Sequence, residues 1–283
     1  MTPASRSREA PETEMNRRPA VAGQFYAADP ETLRRDLVAL TEGPPPPAGT
    51  RGIALLVPHA GYIYSGRVAG ATYRSVRLPL RAVILCPNHT GAGEAIAVND
   101  EGHWETPLGR VPIDAPLARS ILDRCPQARV DARAHGQEHS LEVQIPFLQH
   151  LAGSFRFVPI CVGTMHLDTL LGLGRAVAAA IGDDGDDILT IISSDMSHYV
   201  PAEEADRQDR KAIDRLLAVD PEGLHRVVRE EAISMCGIAP AVAGLEAARR
   251  LGATGGRLVA YGHSGETTGD RRSVVGYAGV AVS

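Results

Sequence analysis

Ile84-Leu85-Cys86-Pro87-Asn88-His89 is an apolar run that ends in a histidine, and two other runs end in the same way. They are Leu55-Leu56-Val57-Pro58-His59 and Ile191-Ile192-Ser193-Ser194-Asp195-Met196-Ser197-His198. Short, continuously apolar runs are typical of strands that are buried on both faces of a parallel sheet. The carboxyl ends of such strands meet at one crevice, where ligands bind. We therefore expect these three histidines, although distant in sequence, to lie close together.

Apolar runs and amphipathic segments alternate along the chain, which predicts a layered α/β fold. Two further strand-like runs follow the last predicted helix, so we expect a mixed sheet. Ala95–Val98 and Arg110–Ile113 are predicted to form a hairpin around Trp104. The predicted strands are Ile53–Val57, Ala82–Cys86, Phe157–Val162, Ile188–Ile192, Gly256–Tyr261 and Val274–Val282. The predicted helices are Gly66–Val76, Pro116–Arg124, Glu138–Leu151, Leu167–Ile181, Glu203–Ala218, Pro221–Glu230 and Ile238–Leu251.

The composition is that of a globular protein, with 283 residues of which 44% are hydrophobic and 22% charged. Residues 1–18 mix polar residues without periodicity and are expected to form a disordered tail, with one α/β domain at 19–283. The net charge of −5, from interspersed charges, provides no basic stripe for nucleic acid. There is no apolar run long enough for a membrane helix or a signal peptide, so we expect a cytoplasmic protein.

Histidine is a common ligand of iron, copper and zinc, and two histidines with one anionic ligand can hold a divalent ion. The anion can be an aspartate, a glutamate or a cysteine. Cys236 directly precedes an Ala-rich predicted helix, where amide groups at the helix end favour a thiolate. Cys86 and Cys161 lie inside apolar strands and are interpreted as core residues. Taken alone, a histidine after a strand is more often an ordinary hydrogen-bonded loop residue, and Cys236 is as readily explained as an ordinary buried cysteine as a functional one.

The segment His135–Glu142 begins a predicted helix, and its spacing places Glu138, His139 and Glu142 near one face. These side chains can line a metal site, or they can cap the helix and face solvent. The order of Glu138 and His139 does not match HExxH, which argues against a zincin. The Gly-rich run Gly262–Asp270 precedes a strand and lacks GxSxG, so neither a dinucleotide site nor a hydrolase elbow is indicated.

Six motifs in this chain resemble those of the Memo family, and they occur in the family's order from about Pro19 to Val282. The motifs are Pro19–Tyr26, Pro58–Gly66, Pro87–His89, Glu138–Glu142, Ser193–His198 and Cys236-Gly237. The family is similar to the LigB-type class III extradiol dioxygenases, non-haem iron enzymes that open catechol rings. The resemblance implies an α/β/α sandwich around a mixed sheet, as in LigB-like dioxygenases.

The resemblance also implies the site residues. The metal ligands of the family correspond to His59, His89 and Cys236, and the cysteine replaces the glutamate of the ring-cleaving enzymes. Thiolate is a softer ligand than carboxylate, which favours copper or changes the redox properties of iron, so iron or copper is expected rather than zinc.

The remaining positions follow from the same resemblance. His198 resembles the acid/base histidine of the dioxygenases, and Asp195 is expected to orient it or to bind water at the metal. The substrate pocket is expected to be lined by Phe25, Tyr62, Glu138 and His139. Cys86 departs from the family pattern, because a glycine is usual before Pro-Asn-His.

Bacterial and archaeal members resemble component B of the AmmeMemoRadiSam system, named for an Ammecr-type protein, a Memo protein and a radical-SAM enzyme. This implies a metal-dependent oxidoreductase in a redox modification pathway, acting on a small molecule or a peptide, with Ammecr-type and radical-SAM proteins as partners. One alternative is a non-catalytic metal-binding or partner-binding scaffold that retains a dioxygenase-like cleft. Another is hydrolysis by a metal-bound hydroxide.

Overall fold

The computed structural model describes residues 16–46, 50–184 and 187–283. Within these ranges no helix is both long and apolar enough to cross a membrane. Most of the tail expected at residues 1–18 lies outside the described residues. Asn16–Arg17, however, form a short strand, and the side chain of Arg17 is buried. The packed structure therefore extends into the segment that was expected to be a tail.

The strands and helices are as follows, in chain order. The strands are β1 (Asn16–Arg17), β2 (Ala54–Val57), β3 (Arg81–Pro87), β4 (Ile96–Val98), β5 (His103–Thr106), β6 (Gly109–Pro112), β7 (Arg129–Val130), β8 (Arg156–Val162), β9 (Leu189–Ser193), β10 (His198–Val200), β11 (Gly256–His263) and β12 (Val274–Val282). The helices are α1 (Pro30–Leu40), α2 (Tyr62–Arg74), α3 (Ala115–Arg124), α4 (Arg133–Gly136), α5 (His139–Glu142), α6 (Ile145–Ala152), α7 (Leu167–Asp184), α8 (Ala202–Leu217), α9 (Pro221–Glu230), α10 (Ile238–Arg250) and α11 (Gly265–Thr268).

The described strands form a large mixed sheet and a small one. The large sheet has the order β10-β12-β2-β9-β3-β8-β4-β7, and β11 pairs with β12. Its centre is parallel, because β2, β9, β3 and β8 all run in one direction. Strands β12 and β4 are antiparallel to β2 and β8, respectively. The mixed sheet predicted from the sequence is therefore confirmed.

Helices cover the large sheet on both faces, which explains why its central strands β2, β3 and β9 are buried at every position and mostly apolar. On one face, Leu56 and Leu85 pack into a core that contains residues of α3, α7, α8, α9 and α10. On the other face, Leu55 and Ile84 pack into a second core that contains residues of α1, α2, α5 and α6. The molecule is thus an α/β/α sandwich, as predicted.

Two local predictions were wrong. The predicted helix Glu138–Leu151 is instead two helices, α5 and α6, because Pro146 lacks an N–H and its ring clashes with the carbonyl four residues earlier. Trp104 lies on a hairpin, but the hairpin pairs β5 with β6 across a two-residue turn. The segment predicted as its first strand, Ala95–Val98, instead provides β4 of the large sheet, antiparallel to β8.

Glu142 anchors the start of the described chain to α5. Its fully buried carboxylate accepts hydrogen bonds from the backbone N–H of Ala20 at 2.8 Å and of Val21 at 3.1 Å. It also accepts a hydrogen bond from the Tyr26 hydroxyl at 2.6 Å and lies 2.7 Å from the Arg17 guanidinium. Four donors thus surround one buried carboxylate, which satisfies its oxygens without water.

Arg17 continues this network toward α4 and the turn before α5. Its guanidinium donates to the backbone carbonyls of His135 and Glu138, each at 2.7 Å. It also lies over the Trp104 ring, 4.1 Å from the ring centroid. The Arg17 side chain therefore contacts β5, α4 and the turn before α5, which come close together only in the folded state.

Replacing Glu142 by alanine is expected to lower the free energy of unfolding by about 3–5 kcal/mol, because it leaves the Arg17 charge buried and unpaired. Asp214→Ala, which removes a partner of the exposed Arg210 side chain, is the matched control and should cost about 1 kcal/mol or less. Urea unfolding of both variants measures the difference. Equal losses in the two variants would contradict the anchoring role of Glu142.

Candidate metal centre

The parallel strands β2, β9 and β3 are neighbours, and their carboxyl ends carry His59, Asp195 and His89. The ring centroids of His59 and His89 are 5.3 Å apart. These two histidines were expected to lie close together because each follows an apolar run, and in the structure they do. His198 follows the same strand as Asp195 but begins β10.

His139, the first residue of α5, completes a cluster with His59 and His89. Each of the three rings offers a nitrogen atom, and these atoms all lie within 4.8 Å of one another, so the group can hold a metal ion. The ring of His139 is 4.8 Å from that of His89 and 5.6 Å from that of His59, measured between centroids. The sequence had placed His139 in the substrate pocket, with the alternative that its segment lines a metal site.

Cys236 lies on the His59 side of this cluster. Its Sγ is 3.2 Å from His59 Nε2 and accepts a hydrogen bond from the Asp195 N–H at 3.3 Å. Ligands of one tetrahedral ion, with metal bonds of about 2.0–2.3 Å, lie about 3.5 Å apart, which matches the sulfur–nitrogen distance. The structure thus places Cys236 beside His59, whereas the group whose ligand atoms all lie within 4.8 Å of one another consists of His59, His89 and His139.

The thiol of Cys236 differs from expectation in its protonation. Burial, followed by the nearby Asp195 carboxylate, raises the pKa of Cys236 far above its ordinary value. The helix-end amides that were expected to favour the thiolate are outweighed, because a buried anion loses its hydration. A cation beside the sulfur would reverse this balance, since coordinating thiols lose their proton.

Hydrogen bonds fix the tautomer of His59. The Ser193 hydroxyl donates to the carbonyl of Ser140 at 2.6 Å, so it must accept from its other neighbours. It lies 2.9 Å from His59 Nδ1 and 2.9 Å from the amide nitrogen of Gln144. His59 Nδ1 therefore carries the hydrogen, and Nε2 presents a lone pair toward Cys236. Burial, reinforced by the other histidines, lowers the pKa of His59 well below its ordinary value, which keeps this ring neutral.

Glu138 orients His89 in the same way. Its fully buried carboxylate accepts the backbone N–H of His89 at 2.6 Å and lies 2.9 Å from His89 Nδ1. The same carboxylate accepts both the N–H and the hydroxyl of Ser140. The Nδ1 hydrogen therefore points to Glu138 and leaves Nε2 free, as in carboxylate–histidine–metal arrangements. Glu138, expected to line the substrate pocket, lies behind the histidine instead.

The contact between Glu138 and His89 shifts the pKa values of both groups. Burial raises the pKa of Glu138, but the hydrogen bonds from His89 and Ser140 outweigh it and lower the pKa to about 2. Burial lowers the pKa of His89, and its hydrogen bond and attraction to Glu138 raise it above the ordinary value. For His139, burial dominates and lowers the pKa. Glu138 is therefore a permanent anion that holds one ring of the cluster.

Asp195 and His198 lie beside the cluster rather than within it. Asp195 accepts the backbone N–H of His59 at 2.7 Å, and burial raises its pKa to about 6. His198 is half-buried, and its Nδ1 donates to the carbonyl of Ser234 at 2.8 Å. This bond leaves His198 Nε2 as a proton acceptor. Asp195 thus positions His59, whereas His198 has a free nitrogen available for proton transfer.

The two aromatic residues expected in the pocket differ in their positions. The Phe25 ring packs on His139, with 4.7 Å between the ring centroids, and is partly exposed. Tyr62 is buried, donates its hydroxyl hydrogen to the carbonyl of Val143 at 2.8 Å, and packs against Phe147. Phe25 therefore borders the cluster, while Tyr62 supports α5 and α6 from the core.

Asp209 on α8 supports the loop of Asp195 and His198 and was not found from the sequence. Its fully buried carboxylate accepts the Ser197 N–H at 2.9 Å and the Tyr261 hydroxyl at 2.8 Å. A side chain at Gly276 would collide with it, because a Cβ there would lie 2.1 Å from its oxygen. An acidic residue in an amphipathic helix carries no sequence signal for such a contact.

Asp209→Asn is expected to change how stability depends on pH. Burial raises the pKa of Asp209, so the native state holds this proton more tightly than the unfolded chain, where the pKa is about 3.9. The stability of the parent therefore falls as the pH rises from about 3.9 through the raised native pKa, and the asparagine variant lacks this loss. Its stability relative to the parent should increase as the pH rises from about 4 through the raised native pKa, measured by urea unfolding. A difference between variant and parent that does not change with pH would contradict this.

Known proteins resemble this chain over almost its full length. Residues 17–281 match the family model described as Memo-like protein. A MEMO1 family protein of Aquifex aeolicus is 46% identical over 265 residues, which cover 93% of this chain and 98% of the relative. A MEMO1 family protein of Methanothermobacter thermautotrophicus is 44% identical over 274 residues, which cover 93% and 99%.

A solved structure of an uncharacterized protein from Escherichia coli K12 has a TM-score of 0.57 with this chain. The match covers 81% of this chain and 99% of that protein, at 15% sequence identity, and so shows similarity of fold alone. The family model and the relatives, in contrast, match the sequence itself. The chain therefore belongs to the Memo family.

Proposed function

We propose that this protein binds one iron or copper ion and acts as an oxidoreductase on a small molecule or a peptide. His59, His89 and Cys236 are the proposed ligands, with His139 beside them as a further donor. The observation that carries this proposal is the fixed tautomers of His59 and His89. Both rings are held through Nδ1, so each has an Nε2 lone pair available, and both belong to the group whose ligand atoms lie within 4.8 Å of one another. Ligand preorganisation of this kind is typical of metal sites.

A redox-active ion is proposed rather than a purely structural zinc ion, because thiolate is softer than the glutamate carboxylate that it replaces in the ring-cleaving enzymes. Imidazole and thiolate ligands suit copper and iron, and a bound ion of either kind supplies electron transfer and Lewis acidity. The chain's own residues supply the rest. Glu138 holds His89, and Asp195 holds the backbone of His59. His198 Nε2, which makes no hydrogen bond to the described part of the chain, accepts or returns a substrate proton.

Partly or largely exposed aromatic side chains near the centre are available to contact a small molecule or a peptide. Phe25 borders the cluster with a partly exposed apolar ring, and Tyr199, next to His198, is 78% exposed. Ammecr-type and radical-SAM proteins are proposed as partners of the same pathway, in the cytoplasm. This part of the proposal is supported by the family resemblance rather than by a contact within the chain.

The metal is tested by elemental analysis of protein purified without oxygen. The parent should contain close to one iron or copper ion per chain, and His59→Ala, His89→Ala and Cys236→Ser should each lose it. His166→Ala, at an exposed position, is the matched control and should retain the parent's content. A parent without metal that also gains none on titration with Fe(II), Cu(I) or Zn(II) would rule out the proposed centre.

His198→Gln separates metal binding from proton transfer. The variant should retain the metal content of the parent, because His198 is not a proposed ligand. Its turnover should fall about 10²–10⁴-fold, the usual contribution of a general acid or base. The turnover of the variant and of the parent is measured as oxygen consumption with a panel of catechols, thiols and reductants. If the metal-loaded parent consumes no oxygen with any of these compounds, the chain is better described as a metal-binding scaffold.

A further inference from the structure

A second pocket, of about 420 Å³, lies apart from the proposed metal ligands. Its walls are the segment 16–20, which contains β1, the Asn99 side chain after β4, and residues around α4. None of the proposed metal ligands lines it. Its volume falls within the range of small-molecule sites in proteins, about 300–1,000 Å³. The pocket is therefore large enough for a ligand of its own.

One wall residue of this pocket has a buried polar atom without a partner. Asn99 is only 3% exposed, and its Oδ1 has no hydrogen-bond partner among the residues that the structure describes. Buried polar groups are normally hydrogen-bonded, so this carboxamide has hydrogen-bonding capacity that the described residues do not use.

The two arginines that line this pocket differ in whether a carboxylate neutralises them. The guanidinium of Arg17 is neutralised by Glu142, which lies 2.7 Å away. Arg18, which also lines the pocket, is exposed and forms no ion pair with any residue that the structure describes. One cationic side chain is therefore available to a ligand at the mouth of the pocket. Guanidinium groups bind carboxylates and phosphates through paired hydrogen bonds.

The chemistry of the remaining lining residues narrows the ligand class. Asn16, Asn99 and Gln137 place three carboxamides on the walls. Carboxamides both donate and accept, and hydroxyl groups match them because a hydroxyl does the same. None of the lining residues is aromatic, so the walls provide no platform for a nucleobase. We propose that this pocket binds a small hydroxylated anion, such as a sugar phosphate or a hydroxy acid, through Arg18 and Asn99.

The test is isothermal titration calorimetry of the full chain with four probes. They are ribose 5-phosphate, gluconate, ribose and inorganic phosphate. Ribose 5-phosphate or gluconate should bind, and ribose and inorganic phosphate should bind about tenfold more weakly or not at all, because each lacks one of the two recognised features. Which of the two anions binds distinguishes a phosphate from a carboxylate ligand.

Arg18→Ala and Asn99→Leu should each weaken the binding about tenfold or more. Arg226→Ala, at another exposed arginine, is the matched control and should leave it unchanged. Arg18 is exposed, so its replacement is expected to preserve the fold even if Asn99→Leu does not. Absence of binding by every probe at millimolar concentration would overturn the proposal. Inorganic phosphate binding as tightly as ribose 5-phosphate would also overturn it, since that result indicates an adventitious ion only.

Discussion

The parallel pairing of β2, β9 and β3 is the constraint on which the rest of the site depends. Pairing in register brings Val57 beside Ser193 and Leu85 beside Ile192, so the three strands end at the same level. The residues that follow must then share one edge of the sheet. His59, Asp195 and His89 become neighbours through backbone hydrogen bonds formed far from their side chains. Their proximity is a property of the sheet, so it does not require contacts among the ligands themselves.

Buried carboxylates then orient the residues that the sheet brings close together. Glu138 holds His89, Asp195 holds the backbone of His59, Asp209 holds Ser197, and Glu142 holds the N-terminal segment. Each of these acids accepts hydrogen bonds from groups distant in sequence, and such bonds are costly to lose once buried. A histidine ring held by a hydrogen bond at Nδ1 has a fixed tautomer and leaves Nε2 available, whereas a histidine in a solvent-exposed loop has neither constraint.

The sequence predicted the sheet well, because its central strands are short runs made mostly of apolar residues and leave few alternatives. It also placed His59 and His89 correctly, since both follow such strands directly. His139 was harder to assign, because it belongs to a short helix that a proline separates from the next, and its approach to the other rings depends on tertiary packing. Helix α1 was not predicted, although Asp29 and Pro30 form a typical helix start. Asp209 could not be predicted, because a buried acid in a polar helix resembles its exposed neighbours.

The electrostatics of the centre favour a cation there. Burial lowers the pKa values of His59 and His139 and raises that of Cys236, so each of these groups is driven to its neutral form. Neutral imidazoles are ready to bind a metal ion, because they have no proton to lose. Of these three groups, only the thiol must release one, and the positive charge of the ion stabilises the resulting thiolate. His89 is different, since Glu138 raises its pKa, but that hydrogen bond engages Nδ1 and leaves Nε2 directed elsewhere. A divalent ion bound here would therefore offset the cost of burying the thiolate, because its positive charge compensates the negative charge of the sulfur.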